Sequence, residues 1–237
     1  MIKKNFKVII ILITMVLIFS CTTSGIVNIA NNDSGVFVFD TTMTENLYKT
    51  MTAFGDIDES ENIFSTNLVE SFFTQAGLTL SSIIMENNRE IAFDGVSNDI
   101  KKVLKSKNQP ILLTERENEK IFTFLLDENT INSLTSLLTE DSLMYIDLLQ
   151  APLFTREEMT DQEYVEFIGA LYGQKLSNDV KESYVTLEIN IPKPAKKVVV
   201  FPKNLASIEQ NNNKILFKIK LSALLANSTE ARFEVCW

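Results

Sequence analysis

Hydrophobic positions recur along the chain with two periods, and the switch between them lays out its elements. Val185, Leu187, Ile189 and Ile191 alternate with Thr186, Glu188 and Asn190, a period of two that predicts a half-buried strand. Ile215, Phe217, Ile219 and Leu221 repeat it, with Lys214, Lys218 and Lys220 on the other face. Val198 to Phe201 reads as a further strand, and Ala231, Phe233, Val235 and Trp237 form one face of the last. Near the start, the strand-like runs Ile26 to Ala30 and Val36 to Asp40 flank Asn31-Asn32-Asp33-Ser34-Gly35. That cluster predicts a turn, because Asn and Asp tolerate left-handed backbone. Leu78 to Met85 with Ile91 to Phe93, and Ile111 to Thr114 with Ile121 to Leu126, read as two more hairpins. The last of these runs is apolar nearly throughout, which predicts a central position in the sheet.

Between the strands the period lengthens to that of a helix. Thr42 and Glu45 make a capping-box pair ahead of Met43, Leu47, Met51 and Phe54, and Gly55 closes that helix. Leu68, Val69, Phe72, Phe73 and Ala76 line a second, stopped by Gly77. A short helix follows from Ser97 or Asn98, with Ile100, Val103 and Leu104 inward. Ile131, Leu134, Leu137 and Leu138 line another, and Leu143 to Leu149 suggest one ended by Pro152. Thr160 and Glu163 form a second capping box, opening a helix that bears Tyr164, Ile168 and Tyr172 and finishes at Gly173. These parts predict an α+β fold: an antiparallel sheet built from hairpins, helices packed on one face, and one domain over residues 26–237.

Residues 1–20 follow a different logic. Lys3, Lys4 and Lys7 precede an apolar run from Val8 to Phe19 broken only by Thr14, and Ser20 comes next. A basic start, an apolar middle and a small residue before the cut are the parts of a secretory signal. The run is shorter than the roughly 20 residues of a helical span. Ile18-Phe19-Ser20-Cys21 resembles the lipobox of bacterial lipoproteins, with Phe19 bulky where the common pattern has Ala or Ser, a looseness found in spirochaete-type lipoboxes. The resemblance implies cleavage between Ser20 and Cys21 and a diacylglycerol on the Cys21 thiol. Residues 21–25 would then be a lipidated tether of about 15 Å. An uncleaved signal anchor or a simple secretory signal is the alternative. Thr22, in place of Asp after the cysteine, implies the outer membrane over the inner by the sorting preference of enteric lipoproteins. The early Asp33-Ser34-Gly35 turn feeding a helix and the apolar-aromatic close Phe233 to Trp237 add a weak similarity to LppM-like lipoproteins. That group implies an envelope role, with lipid or another apolar ligand, and brings no catalytic residues.

Composition narrows the chemistry. At 45% hydrophobic and 22% charged, the chain is ordinary globular protein. Its net charge of −9 makes it a poor partner for nucleic acid, whose binding is dominated by cation–phosphate contacts. Residues 21–182 hold 11 basic against 27 acidic side chains, and residues 183–237 hold 8 against 4. Either the basic tail complements the acidic helices within the fold, or Lys193, Lys196, Lys197 and Lys203 face anionic headgroups. The chain has no histidine, which removes the commonest general base and the usual Ser-His-Asp and zinc arrangements. The acid pairs Asp127-Glu128, Glu140-Asp141 and Glu157-Glu158 fall at predicted helix starts, where carboxylates favour the helix dipole. Asn31-Asn32-Asp33 lacks the spacing of a calcium loop.

No catalytic, cofactor or metal site is therefore expected. With Cys21 lipidated, Cys236 has no partner in the chain; a Cys21–Cys236 disulfide is the rival. Phe72, Phe73, Phe122, Phe124 and Phe167 are candidates to line an apolar ligand cup, against the plainer reading of core packing. The expectation is a non-enzymatic envelope lipoprotein, held to the membrane through Cys21 and binding an envelope protein partner or scaffolding. A carrier or sensor of an apolar ligand is the alternative, and a carboxylate hydrolase the third.

Overall fold

The computed structural model describes residues 22–55, 64, 66–102, 111–116, 119–135, 149 and 151–237. Its first strand, β1 (Thr22–Ile29), lies inside a seven-stranded sheet together with β2 (Gly35–Thr42), β3 (Thr79–Asn87) and β4 (Glu90–Ser97). After β5 (Ile111–Arg116) and β6 (Glu119–Leu126) come β7 (Tyr184–Asn190), β8 (Lys197–Phe201), β9 (Ala206–Asn211), β10 (Lys214–Lys220) and β11 (Ala231–Cys236). The large sheet has the order β3-β4-β2-β1-β7-β10-β9, and a smaller one the order β5-β6-β11-β8. Every pair is antiparallel except β1 with β7. A parallel pair needs a long crossover, and here the chain between Ile29 and Tyr184 supplies it.

The period of two sorts each strand's side chains between faces. Val27 and Ile29, Phe37 and Phe39, Ile91 and Phe93, Val185 and Ile189, and Ile215, Phe217 and Ile219 all point to the core and are buried. The smaller sheet packs on this face: the rings of Phe217 and Phe233 meet edge-on at 5.4 Å. Burial of these apolar side chains is the main force holding the two layers together.

The helices are α1 (Glu45–Gly55), α2 (Thr66–Ala76), α3 (Glu128–Thr135), α4 (Pro152–Thr155), α5 (Asp161–Tyr172), α6 (Gln174–Glu182) and α7 (Leu221–Leu225), with a 3-10 turn at Ile100–Lys102. They lie on one side of an antiparallel-rich open sheet, and the chain is α+β as its periodicity predicts. Among the described residues, no helix is long and apolar enough to cross a membrane.

Several boundaries differ from the expectation, each for a local reason. Residues 22–25 are not a tether; they are the first half of β1. Thr22 pairs with Thr42 and Tyr184, and Gly25 with Phe39 and Leu187. Their small polar side chains carry no apolar alternation, yet the ladder continues, and the buried hydroxyls of Thr23 and Thr41 satisfy each other at 2.9 Å. Thr44, not Thr42, caps α1: its Oγ1 accepts from the Leu47 N–H at 3.3 Å. Pro152 opens a short helix of its own, with its ring at the first turn, where its missing N–H costs nothing. Leu221 begins α7 instead of ending β10. Helix α6 has a single i, i+4 apolar pair, Leu176 and Val180, beside the buried Ser177, and the edge strand β9 is exposed along most of its length; neither is among the expected elements. Residues 56–61, 103–104 and 137–148 of the expected elements, with the Glu140-Asp141 pair, lie outside the described residues.

Candidate functional site

The strand ends that surround Thr22 form one end of the large sheet. Thr22 is paired with Tyr184, and Tyr184 with Lys220, so the three side chains share one row on one face. One row further along lie Ser24, Thr186 and Lys218. Lys218 and Lys220 are exposed. Lys218 places its Nζ 4.3 Å from the centroid of the Tyr184 ring, a cation–π contact that orients the ammonium without neutralising it.

A groove of 730 Å3 opens beside these residues. Lys218, Lys220, Ser207 and Asn204 contribute polar groups, and Asp161 is the one carboxylate among its lining residues. Met159, Leu205 and Ala223 supply apolar wall. The α5 cap sets the shape of one side. The Thr160 Oγ1 accepts from the Glu163 N–H at 3.2 Å, and the Glu163 carboxylate accepts from the Thr160 N–H at 2.8 Å. Donation to that carboxylate by the Thr160 N–H first, and then by the Thr160 hydroxyl at 2.8 Å, holds the Glu163 carboxyl below its usual range.

The opposite end of the sheet is tied down by ion pairs. Asp33 sits in the β1–β2 turn at φ +63, the left-handed backbone expected there. Lys101 reaches its carboxylate at 3.0 Å and Glu115 at 2.9 Å, and Lys120 of β6 bonds it as well. Burial alone would raise the Asp33 pKa; the bonds from Lys120 and Lys101 outweigh it and hold the carboxyl below its ordinary value. This cluster joins the large sheet to the small one. Lys196 pairs with Glu119 at 2.9 Å, and Lys193 lines a small pocket with Asn31 and Trp237. Lys197 pairs with Cys236 across the smaller sheet, so three of the four lysines read as a headgroup-facing set lie away from Thr22.

Between the sheets lies a wholly apolar cavity of 40 Å3, lined by Phe39, Phe122, Phe124, Phe233 and neighbours that include Gly25 and Leu187. Of the five phenylalanines expected to form a cup, Phe122 and Phe124 are the two that line it. Phe73 is buried elsewhere, against Phe93 of β4 at 5.6 Å. Phe167 is half-buried on α5. The Phe72 side chain lies outside the described residues, as do Ser20 and Cys21.

Cys236 is a buried free thiol that donates to the Glu119 carboxylate at 3.3 Å. Burial first, and then that carboxylate, push its pKa up. Among the acid pairs, Asp127 caps α3, accepting from the Thr130 N–H at 2.7 Å. Glu157 and Glu158 lie in the exposed segment ahead of Thr160 and not at a helix start. Among the described residues, no group of three or more Cys, Asp or Glu side chains is arranged to hold a metal ion.

Comparison with protein-family models, curated proteins and solved structures found no match to the chain. Lys218, Lys220 and Tyr184 were not candidates by sequence. The one signal for them was the lysine-bearing outer face of the 214–220 strand, which does not show what stands beside it.

Proposed function

We propose that this chain is a non-enzymatic lipoprotein of the bacterial envelope, anchored through Cys21, that binds or scaffolds an envelope protein partner at the membrane surface. The observation that carries this reading is the position of β1. It begins at Thr22, directly after the lipobox-like cysteine, and runs between β2 and β7 inside the sheet. An acyl anchor on Cys21 would be joined without a spacer to the middle of the folded body. Acyl chains supply about 0.8 kcal/mol per buried methylene, and two or more make anchoring stable. The body would then rest against the headgroups with its Thr22 end inward, and its far face and edges would be free for a partner. Thr22 after the cysteine favours the outer membrane.

The inter-sheet cavity supports binding through the surface over carriage inside. At 40 Å3 it falls well short of the roughly 300–1,000 Å3 of a small-ligand pocket.

Intact-mass measurement of the protein from the membranes of its bacterial host tests the anchor. The expected species begins at Cys21 and carries the mass of a diacylglycerol. A bare thiol, or a chain that retains residues 1–20, would overturn the reading. Crosslinking in the native envelope then reads the partner: a protein neighbour crosslinked through the exposed surface is expected, and no specific neighbour would count against the scaffold.

A further inference from the structure

The groove at the Thr22 end joins cationic groups to an apolar wall. Its 730 Å3 lies within the range of small-molecule sites. Among the tail's basic groups, Lys196 pairs with Glu119, Lys214 with Glu188, and Arg232 with Glu230 and Glu234. Lys218 and Lys220 have no carboxylate in an ion pair with them among the described residues, and both line the groove. One of the two is held in place by the Tyr184 ring. The Asn204 amide stands beside them, while the Ser207 hydroxyl donates to the Lys218 carbonyl at 3.5 Å and the Asn227 amide to the Thr229 carbonyl at 2.8 Å. Lys203 lies on the same turn, between the lining residues Pro202 and Asn204. Asp161 opposes this charge, but it is one carboxylate against two ammonium groups. Two ammonium groups free of ion pairs among the described residues, a neutral amide and a hydrocarbon wall fit a phosphate ester that carries an apolar or glycerol part.

We propose that this groove binds the phosphate-bearing headgroup of an anionic lipid, with Lys218 and Lys220 on the phosphate oxygens. Lys220 stands two strand spacings from Thr22, about 10 Å, in the row formed by Thr22 and Tyr184. The phosphate chemistry stands on the groove alone. That the phosphate comes from a lipid rests on the anchor reading, since acylation of Cys21 would bring the groove mouth to headgroup level.

Calorimetric titration of the full chain, purified from membranes in an alkyl maltoside that carries no phosphate, tests this. The probes are dihexanoyl phosphatidylglycerol below its micelle concentration, dihexanoyl phosphatidylcholine and inorganic phosphate. Saturable binding of phosphatidylglycerol is expected, stronger than that of the other two. Lys218→Gln with Lys220→Gln should weaken it by about tenfold or more. Lys193→Gln with Lys197→Gln, around the start of β8 and away from the groove, should leave it unchanged, and Lys218→Arg with Lys220→Arg should preserve it. Inorganic phosphate bound as tightly as the lipid would assign the groove to a soluble phosphate and overturn the lipid source. Absence of saturable binding, or equal losses in the two glutamine pairs, would overturn the site itself. The mass at Cys21 is read on the same preparation. A bare thiol there would sink the anchor while the titration still judges the groove.

Discussion

Phe73 occupies the space that a Cβ on Gly95 would need: the added atom would lie 1.7 Å from its Cε1. The same ring stands edge-on to Phe93, with centroids 5.6 Å apart and planes at 87°. Helix α2 is thereby seated on β4 through a position that only glycine fits.

Gly95→Ala should therefore overpack the contact and cost about 1–3 kcal/mol. Gly25→Ala, whose Cβ would meet Phe39 at 3.2 Å, should cost less. Urea unfolding of both variants checks the order. A Gly95→Ala protein as stable as the parent would show that α2 does not seat on β4 through Phe73.

The Asp33 cluster makes a pH-dependent contribution. Its folded pKa is lowered, so the ionised form stabilises the fold. That contribution is complete above the unfolded aspartate value of about 4 and fades as the pH falls through the lower, folded value. Asp33→Asn keeps a residue that accepts the left-handed turn and removes the charge. It should lower stability at pH 7 by up to about 1 kcal/mol, solvent screening included, with the gap closing in strong acid. A gap that widens on acidification would contradict the sign.

Thr160→Ala should cost about 1 kcal/mol by leaving the Glu163 N–H in the first turn of α5 uncapped. Thr160→Ser keeps the hydroxyl and should restore most of it. Thermal melting distinguishes the two; equal melting points would show that the capping box does not hold the helix start.

Cys236 should be slow to alkylate in the folded chain. Burial and the Glu119 carboxylate raise its pKa, so less thiolate is present at pH 8 than in an unfolded chain. Peptide-resolved iodoacetamide labelling should show Cys236 reacting at least about tenfold faster after urea unfolding than before it. Glu119→Gln should narrow that difference. A native thiol as reactive as the unfolded one would place Cys236 in open solvent.

Much of the architecture was legible because its signals are local. The alternation through Val185, Ile189 and Ile191 needs only the geometry of a strand to place them on one face. Gly77 at φ +73 and Asp33 at φ +63 are choices a residue makes with its own backbone, and they mark their turns. Thr160 and Glu163 close a capping box within four residues, so spacing alone finds it. Thr22 to Gly25 read as linker because their pairing partners, Thr42 to Phe39 and Tyr184 to Leu187, are distant and their side chains show no period. The phenylalanines of the candidate cup differ in place for a similar reason. Phe73 and Phe122 are equally apolar to a reader of sequence, yet one packs on Gly95 and the other lines the gap between sheets.

The sequence by itself determined the α+β class, the hairpins, the cap of α5 and the lipobox-like close at Cys21, all of which depend on residues a few positions apart. Only the tertiary structure decided that β1 pairs in parallel with β7, that a second sheet covers the first, and that Lys218 and Lys220, but not Lys193 and Lys196, stand beside Thr22. The physical reason is that hydrogen-bond ladders and core contacts join residues far apart in the chain, and nothing in a residue's neighbours records which distant partner its backbone will meet.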